Sequence, residues 1–168
     1  MATKTLITEA EYLGMSFDGP EPDYVDGELV ERSMPTTNHG NVQLTFGVLI
    51  HPWRKGNRLF AVSEVRIATA PGHYRVGDIF VFRDRLPEDP MPLTAPFIAV
   101  EIISPSDRHE ELMIKLAEYR ELGVPHIWII DPGLRSLSVF EGRNLIAVDA
   151  FELPEYGLRF TPEQLFES

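Results

Sequence analysis

Apolar residues recur along this chain in two rhythms. In "TTNHGNVQLTFGVLIHPWRKGN", residues 36–57, Val42, Phe46, Leu49 and Trp53 fall at three- and four-residue spacing. That spacing predicts an amphipathic helix, and Pro52 and Gly56 mark its end. From residue 58 the rhythm shortens. "RLFAVSEVRIAT" and "YRVGDIFVF" alternate or are β-branched, and Ala70-Pro71-Gly72-His73 between them suits a turn, so they predict an antiparallel pair. "FIAVEII", residues 97–103, is a buried strand with one ionisable residue, Glu101. A helix follows to about Leu122, with Leu112, Leu116 and Tyr119 on one face. Ser104-Pro105-Ser106-Asp107 offers side chains to cap its start, and Gly123 suits its end. "PHIWII" is then wholly apolar. Strand, helix and strand in succession predict a right-handed parallel crossover.

The flanks carry weaker signals. "TLITEAEYLGM" reads as a short helix with Thr8 as N-cap and Glu11 three residues on. "DYVDGELVERSM" places strand-like residues around Asp26-Gly27, a pair favoured in tight hairpins. Asp131-Pro132-Gly133 turns the chain into "SLSVFEG" and "NLIAVDAF", and "TPEQLFES" is a short helix capped by Thr161. The Pro-rich, charged stretch 83–96 reads as a loop. The order is helix, hairpin, helix, then β-β-β-α-β-β-β. It predicts an α/β fold, or α+β where the antiparallel part is weighted more, with a mixed sheet flanked by helices in one domain over 1–168.

Composition narrows the classes. At 168 residues and 43% hydrophobic content the chain has enough material for one core, which excludes wholesale disorder. With no cysteine, disulfides, zinc–thiolate sites and a cysteine nucleophile are excluded. That fits a reducing cytoplasm. "MATKTLITEAEY" holds no apolar signal core and no run reaches the length of a membrane span, so a soluble, cytoplasmic protein is expected. A net charge of −11 opposes nucleic-acid binding unless a local patch or bound cations overcome it. The densest basic run is "HPWRKGNR". Its Arg54, Lys55 and Arg58 are either a phosphate contact or a solvated helix end.

The candidate chemistry lies in the two apolar strands. Each carries one carboxylate, Asp78 in one and Glu101 in the other. Alternation puts Phe97, Ala99, Glu101 and Ile103 on one face. A lone buried carboxylate costs several kcal/mol, roughly, unless something neutralises it. Two solutions stay open. Each acid pairs with an arginine, of which Arg66, Arg75 and Arg83 are at hand. Alternatively the strands are neighbours, and both acids share a hard divalent cation such as Mg²⁺ in an all-oxygen site. Lys115 sits at the margin of the following helix's apolar stripe. It either reaches back towards Glu101 or pairs on the surface with Glu111 or Glu118, and spacing alone favours the surface.

Taken together, "VGDIFVF", "FIAVEIISPS" and "KLAEY…GVPHIWIIDP" resemble the PD-(D/E)XK nuclease superfamily, most closely its bacterial Uma-type restriction endonuclease family. The likeness runs from Asp26-Gly27-Glu28 to Asp131-Pro132. It implies a restriction-endonuclease-like fold and metal-dependent hydrolysis of nucleic acid, DNA first, with Mg²⁺ or Mn²⁺ as cofactor. Residue by residue, it implies Asp78 and Glu101 as metal ligands, the carbonyl of Ile102 as a third, and Lys115 as a catalytic lysine displaced onto the helix. Glu28 and His39 match further catalytic positions of the family. For His39 a capping or surface role is the other reading. Products with 5′-phosphate and 3′-hydroxyl ends are implied as well. Gly77 stands where the motif has proline, so a local backbone change is expected beside an intact Asp78. A homodimer is expected, because cutting both strands of a duplex takes two sites and two-fold assembly is the commonest kind. Two other functions fit the acidic charge: a non-catalytic interaction module on the same fold, or a hydrolase of small phosphate esters.

Overall fold

The computed structural model describes residues 6–89 and 92–167. Thr5, Pro90, Met91 and Ser168, at the edges or within the predicted elements and loop, lie outside that range. Helix α1, Glu9–Gly14, starts at Thr8 with the expected capping box to Glu11. Strands β1, Asp23–Val25, and β2, Glu28–Val30, pair antiparallel. Their turn takes φ of 48° at Asp26 and 91° at Gly27, the two left-handed residues a tight hairpin needs. The second predicted helix is two: α2, Thr37–Ile50, and α3, Trp53–Gly56, with Pro52 at the break. Proline has no N–H to continue the ladder of α2, so Trp53 begins a new turn.

Strands β3, Leu59–Ala70, and β4, His73–Arg83, form the predicted antiparallel pair. Strand β5, Ile98–Ile102, helix α4, His109–Leu122, and strand β6, His126–Asp131, form the crossover, with β5 and β6 parallel. Strands β7, Ser136–Glu141, and β8, Asn144–Val148, extend the sheet. A small hairpin of β9, Phe151–Leu153, and β10, Leu158–Phe160, precedes α5, Pro162–Phe166, capped by Thr161. The main sheet runs β2-β1-β4-β5-β6-β7-β8, with β3 on the other edge of β4. Both faces are covered. Val42, Phe46 and Ile50 of α2 pack with Ile79, Val100 and Trp128 on one side. Leu116 and Tyr119 of α4 pack with Phe80, Ala99 and Ile129 on the other. Among the described residues no helix is long and apolar enough to cross a membrane.

Three local expectations are corrected. Phe97 precedes β5 and packs with Ile98 and Val100, not on the face of Ala99. Helix α4 has no side-chain cap at Arg108, because the Asp107 carboxylate accepts from Ser104 N–H instead and closes a turn ahead of the helix. Strand β4 runs on through Gly77, which pairs with Val65. A Cβ there would stand 2.2 Å from Cζ of Phe80, so the ring fills the side chain's place. The backbone departure falls across the sheet instead, at Glu64, with φ of 55°.

The two edges of β4 are partnered unequally. Strand β3 occupies one edge of β4 along most of its length. The other edge is divided. Strand β1 takes His73 and Tyr74, and β5 takes Ile79 to Val81. Between them, residues 75–78 face a gap where the neighbouring strands diverge. Backbone groups in such a gap need partners from side chains.

Candidate active site

Side chains from three elements fill that gap. Val76 N–H donates to the Asp23 carboxylate at 2.8 Å, and Val76 C=O accepts from Lys115 Nζ at 2.8 Å. One register step beyond the last β4–β5 pairs, Asp78 comes opposite Glu101. The ladder opens there, and Ile102 N–H donates to Asp78 Oδ2 at 2.7 Å. The two carboxylates predicted to meet are thus brought to one place.

Lys115 joins them. Its Nζ lies 2.9 Å from Glu101 Oε2, and Tyr119 Oη donates to Glu101 Oε1 at 2.7 Å. One turn of helix separates Lys115 from Tyr119, so both sit on the sheet-facing side of α4. The surface partners favoured by spacing are engaged elsewhere. Glu111 pairs with Arg108, and Glu118 with Arg75. Burial is the largest influence on Glu101 and, with the nearby Asp78 charge, pushes its pKa up to about 7 against the pull of Lys115 and Tyr119. Burial also works against the charge on Lys115, but Glu101, Asp23 and Asp78 outweigh it and hold its pKa above the ordinary value. Tyr119, buried against Glu101, stays a phenol that donates, its pKa raised.

Asp78 Oδ1 faces cations. Arg32 Nη2 lies 3.0 Å from it and His39 Nε2 3.5 Å. An arginine does neutralise this acid, but it is none of the three expected: Arg66 pairs with Glu21, Arg75 with Asp23 and Glu118, and Arg83 lies near Asp84. Burial pushes the Asp78 pKa up, yet hydrogen bonding from His39, the Lys115 charge and the Ile102 N–H together hold it below the ordinary carboxylate value. For His39 burial pulls down while Asp78 more than offsets it, so the imidazole pKa is raised. His39 is buried at the start of α2 and caps nothing; the cap is Thr36, whose hydroxyl accepts from His39 N–H. Its Nδ1 is 3.1 Å from Ser104 Oγ. Glu64, opposite Asp78 on β3, receives Arg32 Nη1 at 2.9 Å. Gln43 Nε2 donates both to Glu64 Oε1 and to the Asp78 carbonyl. His39, Glu64 and Asp78 offer donor atoms within 4.8 Å of one another.

Asp78, Glu101, Lys115, Arg32 and His39 open into a cavity of about 570 Å³, also lined by Glu28 and Asp23. Arg54, Lys55 and Arg58 do not line it. Helix α2 carries the chain away from His39, and Arg54 and Lys55 lie past its end on α3, with Arg58 beyond. Arg54 lies over the Phe60 ring, and Arg58 donates to the Asp84 carbonyl. Sequence reasoning missed Asp23, Arg32, Gln43, Glu64, Ser104 and Tyr119. Tyr119 carried a signal, one turn after Lys115. The others reach the site only through tertiary folding.

The mixed sheet thus parts between β4 and β5 over two carboxylates and a helix-borne lysine. A solved structure of similar fold, described as a "putative nuclease belonging to DUF820" from Anabaena variabilis ATCC 29413, shares 23% identity, with 95% of this chain and 97% of that one covered, at a TM-score of 0.83. The model of the Uma2 family, "Putative restriction endonuclease", matches residues 10–163, and the chain belongs to that family. Family membership places it among the nucleases at the general level. No curated protein matches it.

Proposed function

We propose that the chain hydrolyses phosphodiester bonds within nucleic acid, DNA first, as a metal-dependent endonuclease with Mg²⁺ or Mn²⁺ at Asp78, Glu101 and the Ile102 carbonyl. The observation that carries this reading is Lys115, whose Nζ crosses from α4 to lie 2.9 Å from Glu101. The donors fit such an ion. They are two carboxylates and a backbone carbonyl, all hard oxygens, and Asp78 Oδ1 is open to a cation on the cavity side, where it faces a guanidinium. When bound, the ion supplies polarisation of a phosphate oxygen and a lower pKa for a bound water.

The chain's own residues do the rest. Ile102 N–H fixes the rotamer of Asp78, and Tyr119 fixes that of Glu101. Lys115, held by Glu101 and Val76 C=O, presents its ammonium where it orients water or offsets charge developing on the phosphate. Glu28 and His39 line the cavity and complete the proposed catalytic set. Arg54, Lys55 and Arg58 are proposed as phosphate contacts outside the cavity. A homodimer supplies the two sites that two strands require, and the cysteine-free composition suits the cytoplasm.

The test is incubation of the purified chain with single-stranded, duplex and branched DNA and with RNA, with Mg²⁺, Mn²⁺ or chelator. Cleavage that needs the metal and leaves 5′-phosphate ends supports the reading. A protein that binds metal yet cuts nothing points to an interaction module. Turnover of small phosphate esters alone points to the third reading.

A further inference from the structure

We propose that Arg32 is an exchangeable resident cation: its guanidinium stands in a divalent-ion site formed by His39, Glu64 and Asp78, and a transition-metal ion binds there by displacing it. The inference rests on Asp78 being a metal ligand and adds His39 and Glu64 as further ligands beside it.

The geometry supports this in four ways. First, the donors are convergent. Two ligands bound to one ion at about 2.1 Å stand about 3.0–3.4 Å apart, for octahedral or tetrahedral angles. His39 Nε2 and Asp78 Oδ1 are already 3.5 Å apart, and all three donors lie within 4.8 Å. Second, the imidazole is presented. Nδ1 faces the Ser104 hydroxyl at 3.1 Å, which leaves Nε2 as the nitrogen aimed at the cluster. Third, Glu64 is held over the site by Gln43, which ties its Oε1 to the Asp78 carbonyl. Fourth, a cation is already there. One guanidinium bridges Glu64 Oε2 at 2.9 Å and Asp78 Oδ1 at 3.0 Å. It neutralises the carboxylates with a single positive charge, whereas a divalent ion supplies two.

The chemical class follows from the donors. An imidazole with two carboxylates suits Mn²⁺ or another first-row transition ion better than Mg²⁺ or Ca²⁺, which take oxygen. Glu101 is not part of this set: the donors that converge are His39, Glu64 and Asp78. Exchange also sets a threshold. The apparent affinity for the metal is reduced by the fraction of molecules in which Arg32 holds the site closed.

The experiment is calorimetric titration of the full chain with Mn²⁺, without nucleic acid, together with melting temperature with and without the ion. Arg32→Gln should bind Mn²⁺ tighter by about tenfold, the change expected if one molecule in ten is open at rest. It should also melt lower than wild type without metal and gain more on adding it. Arg32→Lys should lie nearer to wild type. His39→Gln should weaken Mn²⁺ binding and narrow the preference over Mg²⁺, and Glu64→Gln should weaken both ions. Unchanged or weaker binding in Arg32→Gln overturns the proposal, as does no Mn²⁺ binding by wild type and Arg32→Gln alike. Wild-type binding in His39→Gln and Glu64→Gln, with loss in Glu101→Gln, overturns this ligand set but leaves the nuclease reading standing. The expected binding pattern in a protein that cuts no nucleic acid does the reverse.

Discussion

Lys115 Nζ lies 2.9 Å from Glu101 Oε2, fourteen residues earlier in the chain, and the same ammonium caps the Val76 carbonyl at 2.8 Å. One side chain therefore satisfies a buried acid and closes a gap in a strand ladder. The helix that follows β5 so soon is what brings it back.

That double role separates two effects of substitution. Lys115→Ala should cut turnover by about 100-fold or more while DNA affinity with Ca²⁺ stays nearly constant, because charge offset in the transition state is what is lost. Stability should fall too, by about 1–3 kcal/mol for the orphaned carbonyl. Lys115→Met keeps most of the volume and should show the same turnover loss. Lys115→Arg should also be poor, since a planar guanidinium does not replace a compact ammonium. Rapid-quench cleavage with a parallel urea melt measures both. Normal turnover in Lys115→Met would remove this residue from the mechanism.

Glu101 gives the metal-free protein a pH signature. Its pKa rises from the ordinary 4.5 to about 7 on folding. The folded state therefore holds a proton that the unfolded state has released. The associated stability is present in full below pH 4.5 and is lost as pH climbs through about 7. Its size is up to about 3 kcal/mol, from the shift at 1.36 kcal/mol per unit. Glu101→Gln lacks this dependence. Urea denaturation with chelator should show the variant gaining on wild type between pH 4.5 and 7. A difference that stays flat across that range contradicts the assignment.

Arg75 should matter more to stability than any surface pair. It is buried between Asp23 and Glu118, and Asp23 also holds Val76 N–H. Arg75→Met strands two acids and should cost about 3–5 kcal/mol. Arg159→Met, which breaks an exposed pair with Glu152, should cost about 1 kcal/mol or less. Equal shifts in the urea midpoint would refute the ranking.

Much of the scaffold was legible in the sequence because its signals are local. The Thr8 capping box, the Thr161 cap, the Asp26-Gly27 hairpin and the β5–α4–β6 crossover each follow from a few adjacent residues. The candidate acids were legible because charge is conspicuous in an apolar strand. Their partners were not. Arg32 lies 46 residues before Asp78 in sequence, and Asp23 53 before Val76, so only the closed sheet joins them. The same holds for Lys115, whose neighbours in sequence offered a surface pair that the fold gives to Arg75 and Arg108 instead. Helix α4 was expected to be capped from "SPSD", but Asp107 closes the turn around Ser104, whose hydroxyl lies beside His39.

The acidic balance predicts weak, salt-tolerant DNA binding. With few phosphates neutralised, log affinity should fall shallowly with log salt, by about 0.9 per phosphate contact. Arg54 and Lys55 on α3, and Arg58 just after it, lie outside the cavity. Replacing all three by alanine should weaken Ca²⁺-supported binding of a long duplex and flatten its salt slope. Identical slopes for wild type and the triple variant on the long duplex would rule out this phosphate contact.

The most direct test of the central claim is single-turnover cleavage of end-labelled duplex DNA with Mn²⁺ by the wild-type chain and by Asp78→Asn. Circular dichroism serves to show that both are folded. Wild type should cut only with the metal, and Asp78→Asn should be slower by about 1000-fold or more, since the carboxylate that holds the ion is gone. Equal cleavage by the two proteins, or no cleavage by wild type on any nucleic acid with Mg²⁺ or Mn²⁺, would contradict the account.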